Sequence, residues 1–234
     1  MSNLLFCGDP HGEFQQIIDE VLYAAKPPAA VVLLGDIEAP APLERVLAPI
    51  VGKTRIHWIL GNHDTERNRH RNLPDAWSLH GRVVQIPVGD STVRVAGLSG
   101  IFKDRIWHPH LRDGAPRWRS RADWLAAAAP QRKHKGGLAL DVLDAIWPED
   151  VETMWDFKAD ILVCHEAPSC MPHFRIPGLA AGRSLGFKEI DELAEAMGCR
   201  MIVHGHHHHA YSAALPNGIT VQGVGKAEVW RWAL

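Results

Sequence analysis

Seven side chains of metal-binding type stand in short polar clusters, each directly after an apolar run: Asp9 and His11 in GDPHGEF, Asp36 in GDIE, Asn62 in GNHD, His165 in HEAPS, and His206 and His208 in HGHHHH. The histidine tetrad is internal, with more than twenty residues after it, so it does not read as a purification tag. Asp9 and His11, like His206 and His208, are two apart, which in extended chain turns both side chains to one side. Gly8 and Gly12 would let the backbone bend sharply around the first pair. A carboxylate has two oxygens and can bridge two cations. Carboxylate, amide oxygen and imidazole without thiolate suit Mn, Fe, Zn or Co rather than Ca.

Such a set does chemistry only if distant parts of the chain bring it together. The apolar runs before the clusters are Leu4 to Cys7, Val31 to Leu34, Ile56 to Leu60, Ile161 to Cys164 and Met201 to Val203. Continuous runs of this length bounded by turn residues predict strands buried on both faces. Helical patterns cover Glu13 to Ala25, Leu43 to Ile50 and Leu185 to Met197, so the fold class is α/β. In such sheets ligands bind at the carboxyl ends of strands, where all these clusters lie, so they are expected to meet at one edge. A second kind of strand, Val83 to Pro87, Thr92 to Leu98, Ile219 to Val224 and Glu228 to Trp232, is set off by Gly-Asp and Pro-Asn-Gly turns. These predict hairpins and a second, more antiparallel sheet. Residues 101–150, rich in Arg, Trp, His and Pro, read as an irregular insertion in a single domain spanning 1–234.

The ordered series Asp9-x-His11, Gly35-Asp36, Gly61-Asn62-His63-Asp64, His165 and Gly205-His206-x-His208 resembles the calcineurin-like metallophosphoesterase superfamily across nearly the whole chain. The resemblance implies a four-layer α/β/β/α sandwich with two central mixed sheets and a dinuclear centre between them. It assigns Asp9, His11, Asp36 and His208 to one cation, and Asp36, Asn62, His165 and His206 to the other. Two divalent ions are implied, Mn²⁺ first, with Fe, Zn, Co or Ni as alternatives. Such a pair polarises a phosphoryl group, deprotonates a bridging water for attack on phosphorus and clamps an in-line displacement. The matching histidine of the family is the general acid, so His63 is expected to protonate the leaving oxygen, with Asp64 orienting its ring. His204 is expected behind the ligands, and His207 and His209 facing away or on the rim.

The implied activity is hydrolysis of a phosphate ester, monoester or diester. Phosphoprotein phosphatases of the superfamily carry Asp-Arg-Gly after the bridging aspartate region, where this chain has Ile37-Glu38-Ala39, which removes their phosphate-gripping arginine. Pro10 between Asp9 and His11 should fix the turn. The segment VAGLSGIFKDRIW is similar to the GLSGIY stretch of RNA lariat debranching enzymes, although those often carry Cys where this chain has Asp9. Nine Lys/Arg against three acids between Ile101 and Lys135, with tryptophans among them, would suit a nucleic-acid clamp, so a metal-dependent nuclease is the alternative enzyme. A non-catalytic scaffold is the third reading; it has no need of His63.

Composition sets the frame. The chain has 234 residues, 46% hydrophobic and 22% charged, and a net charge of −2, which argues against a dedicated nucleic-acid coat. No run approaches the ~18–20 apolar residues of a membrane helix. The start of the chain lacks the pattern of a signal peptide, so Cys7, Cys164, Cys170 and Cys199 are expected as reduced thiols in a cytoplasmic protein. His57, His70, His80, His108, His110, His134 and His173 show no ligand spacing, and the insertion's tryptophans read as packing. Arg67, Arg69 and Arg183 have the fork geometry for phosphate but default to solvated side chains.

Overall fold

The computed structural model describes residues 3–171 and 186–233; His173, Arg183 and Leu185 lie outside them. In chain order the elements are β1 (Asn3–Cys7), α1 (Gln15–Leu22), β2 (Ala30–Leu33), α2 (Leu43–Val46), β3 (Arg55–Trp58), β4 (Arg82–Val88), β5 (Ser91–Leu98), α3 (Arg121–Ala127), α4 (Leu140–Leu143), α5 (Pro148–Met154), β6 (Ile161–Cys164), α6 (Lys188–Ala196), β7 (Met201–His204), β8 (Tyr211–Ala214), β9 (Thr220–Gly223) and β10 (Val229–Ala233). One sheet has the order β10-β1-β2-β3 and the other β4-β5-β6-β7-β9-β8.

Three apolar layers join these elements, which makes four layers of secondary structure. Leu5, Val31, Leu33 and Ile56 face Ile17, Val21 and Leu43 on the outer side of the first sheet. Leu4, Phe6, Val32 and Leu34 meet Val93, Val95, Val163 and Val203 between the sheets. Ala96, Leu162 and Ile202 pack on Met154, Ile190 and Leu193 outside the second. Strands β1, β2, β6 and β7 are covered on both faces, which is why they read as unbroken apolar runs. The expected α/β/β/α sandwich of two mixed sheets is therefore present.

The second sheet is mixed, not chiefly antiparallel: β5, β6, β7 and β9 run parallel, and antiparallel pairing is confined to the edge pairs β4·β5 and β8·β9. The expected hairpin between the last two strands does not form. Strand β10 crosses to the first sheet and pairs antiparallel with β1, where the tilted rings of Trp230 and Phe6 lie 5.6 Å apart between centroids. The crossing fits a close contact: a Cβ on Gly8 would lie 2.5 Å from the Gly225 carbonyl oxygen. The Pro216-Asn217-Gly218 turn instead joins β9 to β8, a strand whose short alternating pattern follows the histidine tetrad.

Residues 101–150 are not irregular throughout. They carry α3, α4 and the start of α5 around a small core of Ile106, Trp124, Val142, Ala145 and Trp147. The expected positive excess is also answered locally, by acids that lie mostly beyond the basic run. Arg112 and Arg117 share Asp104, Arg105 pairs with Asp141, Lys103 with Asp144 at 2.5 Å, Arg119 with Glu152 at 2.7 Å, and Arg121 with Glu149 and Asp150 at 2.8 and 2.6 Å. A cleft of about 850 Å³ lined by Lys103, Asp104, Arg105, Arg117, Trp118, Arg132 and Asp141 has both signs of charge and none of the ligand-type residues. No helix among the described residues is long and apolar enough to cross a membrane.

Trp124 is 2% exposed, so Trp124→Ala should cost about 3–5 kcal/mol in urea unfolding monitored by circular dichroism. A cost below about 1 kcal/mol would mean that this segment does not pack as described.

Candidate metal centre

The polar clusters sit at the carboxyl ends of strands from both sheets, so they meet across the seam of the sandwich and not along one sheet edge. Asp9 and His11 follow β1, Asp36 follows β2, Asn62 and His63 follow β3, His165 follows β6, and His206 and His208 follow β7. The expectation that each i, i+2 pair shares one side through extended chain fails. Asp9, His11, Asp36, His206 and His208 all have positive φ, between 38° and 69°, a region that non-glycine residues rarely occupy. Sharp left-handed turns aim these side chains inward, and strained backbone of this kind persists only where its surroundings hold it.

Asp36 is 1% exposed and lies at the middle. Its Oδ1 accepts the His63 backbone N–H at 2.8 Å. Its Oδ2 faces two imidazoles, His11 Nε2 at 3.8 Å and His165 Nε2 at 3.5 Å. Donor atoms of His11, Asp36 and His208 lie within 4.8 Å of one another, and so do those of Asp36, His165 and His206. His11 Nε2 and His208 Nε2 face each other at 3.1 Å, and Asn62 Oδ1 is 3.1 Å from His165 Nε2. Asp9 is fully buried; its Oδ1 accepts the His206 N–H at 3.1 Å, while Oδ2 has no hydrogen-bond partner and faces His208 Nε2 at 3.9 Å. All seven expected ligand-type residues are thus brought together. The unanswered carboxylate oxygen and the converging ring nitrogens fit divalent cations, with one carboxylate common to two donor sets.

The approach is so close that only glycine fits beside it. A Cβ on Gly35 would stand 2.4 Å from His165 Nδ1, and one on Gly61 would stand 2.3 Å from Asp36 Oδ1. The GD and GNH motifs therefore supply clearance as well as ligands.

Burial and charge coupling shift the titration of these groups in opposite directions. Burial opposes charge on His165, but the hydrogen bond and charge of Asp36, together with Asp9, outweigh it and push the imidazole up to about 10. Burial raises Asp36 too, yet His165 more than reverses this and holds it below the usual carboxylate range. Burial dominates at Asp9, raised to about 6 despite His165 and the His206 N–H. Burial likewise drives His206 down to about 4 and His204 to about 3, so both stay neutral. His204 is buried and bonded through Nε2 to the Tyr211 hydroxyl at 2.6 Å, behind the ligands as expected. Burial pushes the Cys7 thiol up to about 12, which keeps it from acting as a thiolate.

Other placements differ from expectation. Asp64 does not orient His63; its carboxylate is buried and accepts the backbone N–H groups of Glu38 at 2.9 Å and Gly61 at 2.8 Å, tying two of the loops together. Burial raises it to about 6. The carboxylate at His63 Nδ1 is Glu66, 3.0 Å away. His207 turns inward toward the buried Glu166, with Nε2 at 3.7 Å from Oε1, instead of lining the rim. His209 is exposed. Arg69 is not free for phosphate, because it pairs with Glu38, whose Oε2 is 2.6 Å from His11 Nδ1. Glu38, Glu66 and Glu166 were not singled out by the sequence. Their only signal is nearness to a ligand, two residues after Asp36, three after His63 and one after His165.

Two outcomes follow. A carboxylate that holds a ligating histidine commonly supports metal affinity 10- to 100-fold, so Glu38→Gln should weaken Mn²⁺ binding by about that factor in titration calorimetry. An unchanged affinity would remove Glu38 from the centre. Binding should also release protons, because a cation must displace the proton that His165 keeps up to about pH 10. Affinity should therefore rise with pH, more steeply below about 6, where Asp9 also holds a proton. Calorimetry in buffers of different ionisation enthalpy measures the release, and none at neutral pH would contradict the coupling.

Comparison with known proteins matches this geometry. The family model described as calcineurin-like phosphoesterase covers residues 2–210. An uncharacterized protein of Haemophilus influenzae is 31% identical over 229 residues, spanning 94% of this chain and 90% of its own. Among solved structures, TT1561 of Thermus thermophilus aligns with a TM-score of 0.53 at 14% identity, covering 97% of this chain and 90% of that one. The phosphopantetheinyl hydrolase PptH of Mycobacterium tuberculosis aligns with a TM-score of 0.52 at 15% identity, with the same coverage. These two likenesses concern the fold, whereas the match of the family model over most of the chain, at the strands that carry the site, places this protein in the calcineurin-like phosphoesterase family.

Proposed function

We propose that the protein is a dinuclear metal-dependent phosphoric ester hydrolase, working as one domain, with residues 101–150 forming part of its wall. The observation that carries this reading is the position of Asp36, one buried carboxylate shared by two donor sets. Asp9, His11, Asp36 and His208 would hold one cation, and Asp36, Asn62, His165 and His206 the other. Two divalent ions, Mn²⁺ by preference, would polarise the phosphoryl oxygens of the substrate and supply an activated water at neutral pH.

The chain's own residues do the rest. The ring of His63 stands 5.5 Å from that of His11, and its side chain is 42% exposed at the mouth of the site. Its Nδ1 is engaged by Glu66, which leaves Nε2 to give a proton to the departing oxygen of the ester. The backbone N–H of His63 bonds Asp36, so the acid and the shared ligand are fixed to each other. Asp64 keeps the loops after β2 and β3 at a constant spacing through its two backbone contacts. Glu38 and Arg69 hold the His11 ring from behind.

A nuclease that grips its strand with the 101–135 cations is the second reading; against it, six of those nine side chains face carboxylates. The local ion pairs favour a small phosphate ester as substrate.

The test is turnover of p-nitrophenyl phosphate and bis-p-nitrophenyl phosphate by metal-free protein reloaded with Mn²⁺. His63→Ala should lower kcat by about 10²- to 10⁴-fold while leaving metal content intact, and Asp36→Asn should bind less metal, with no coupled pair, and lose turnover. Equal turnover in all three proteins, or turnover that survives chelation, would rule the mechanism out.

A further inference from the structure

Glu166 is a glutamate that the dinuclear arrangement does not use, yet it is 4% exposed. Burying a carboxylate is costly unless something answers its charge. Its hydrogen bonds are modest: Oε1 accepts the Ala167 N–H at 3.1 Å and Oε2 accepts the Phe102 N–H at 3.4 Å. The nearest imidazole, His207, does not complete it. His207 Nε2 is buried, has no hydrogen-bond partner and lies 3.7 Å from Glu166 Oε1, too far for a hydrogen bond.

That separation has another explanation. Two bonds of about 2.1 Å to one cation place their donor atoms about 3.4 Å apart at a tetrahedral angle and about 3.6 Å apart when the angle opens to trigonal. A third donor is in range: atoms of Glu166, His206 and His207 lie within 4.8 Å of one another. The rings of His206 and His207 stand 4.6 Å apart at an interplanar angle of 60°, and the His165 ring is 4.9 Å from that of His206. A neutral imidazole offers one lone pair, so His206 would hold an ion at each ring nitrogen only as imidazolate, its N–H proton passing to solvent when the second ion binds.

We infer that Glu166, His206 and His207 form a further divalent-cation site beside the pair centred on Asp36. Two imidazoles and one carboxylate with an open position form the donor set of three-ligand zinc sites, so the ion is Zn²⁺ or a late first-row metal of similar preference, not Mg²⁺ or Ca²⁺. Because His206 belongs to both groups, an ion here is coupled to the second ion of the pair and not an independent surface adduct. The inference shares His206 with the dinuclear reading but depends on neither Asp36 nor turnover.

The experiment is a zinc count. Metal-stripped protein is equilibrated with excess Zn²⁺, freed of unbound ion by gel filtration and measured by mass spectrometry of the elements. Glu166→Gln, which keeps the side chain's shape, and His207→Ala should each hold about one ion fewer than the unaltered chain. Asp36→Asn should keep the ion that Asp36→Asn/Glu166→Gln loses. Equal zinc content in the unaltered chain, Glu166→Gln and His207→Ala would overturn the site. If Asp36→Asn alone left the content unchanged while Glu166→Gln lowered it, the dinuclear reading would fail and this site would stand.

Discussion

The contact on which the rest depends is the charge coupling between the Asp36 carboxylate and His165, 3.5 Å apart in a region closed to water. A buried carboxylate and a buried imidazole are each unfavourable alone. Together, with Asp9 at 3.5 Å from His165 Nδ1, they form a proton-holding cluster that a cation can take over by exchanging metal for proton. The Leu34 carbonyl, 2.7 Å from His165 Nδ1, fixes the ring so that Nε2 points at Asp36 and Asn62. Fold and site thus meet at one polar interaction buried where the strand ends of the two sheets face each other.

Two features of the chain make that interaction reachable. The sandwich sets the ends of β1, β2 and β3 against the ends of β6 and β7, so ligands separated by up to 199 positions, from Asp9 to His208, meet at one seam. Backbone in the left-handed region then turns individual side chains into it, and glycines at 35 and 61 leave room where a methyl group would collide with His165 or Asp36. The strain of these turns is held by backbone contacts between the loops, such as His11 N–H to the Asp36 carbonyl at 2.8 Å and Glu38 N–H to Asp64. Asp64 accepts backbone N–H groups from two of these loops, at Glu38 and Gly61.

Much of this was legible in the sequence, for a physical reason. Strands covered on both faces must be apolar throughout, so β1, β2, β6 and β7 announced themselves, and the ligands followed from what stood at their ends. The path of β10 was not legible, because a strand's sheet depends on which edge is open, and pattern alone does not reveal that. The three helices of residues 101–150 were hidden because α3 and α5, at 7 residues each, and α4, at 4, are too short for a helical period to repeat. Pairing of Arg121 with Asp150 was hidden because the acids lie beyond the basic run. Glu38, Glu66 and Glu166 were missed because a supporting carboxylate has no fixed spacing; only the folded chain shows which histidine it reaches.

The central claim, that Asp36 joins two cations into one centre, is tested most directly by electron paramagnetic resonance of the protein reloaded with Mn²⁺. A shared carboxylate ligand should couple the two spins, giving an exchange-broadened spectrum at full loading that reverts to isolated Mn²⁺ in Asp36→Asn. Spectra of isolated, non-interacting Mn²⁺ at every loading of the unaltered chain would contradict the account.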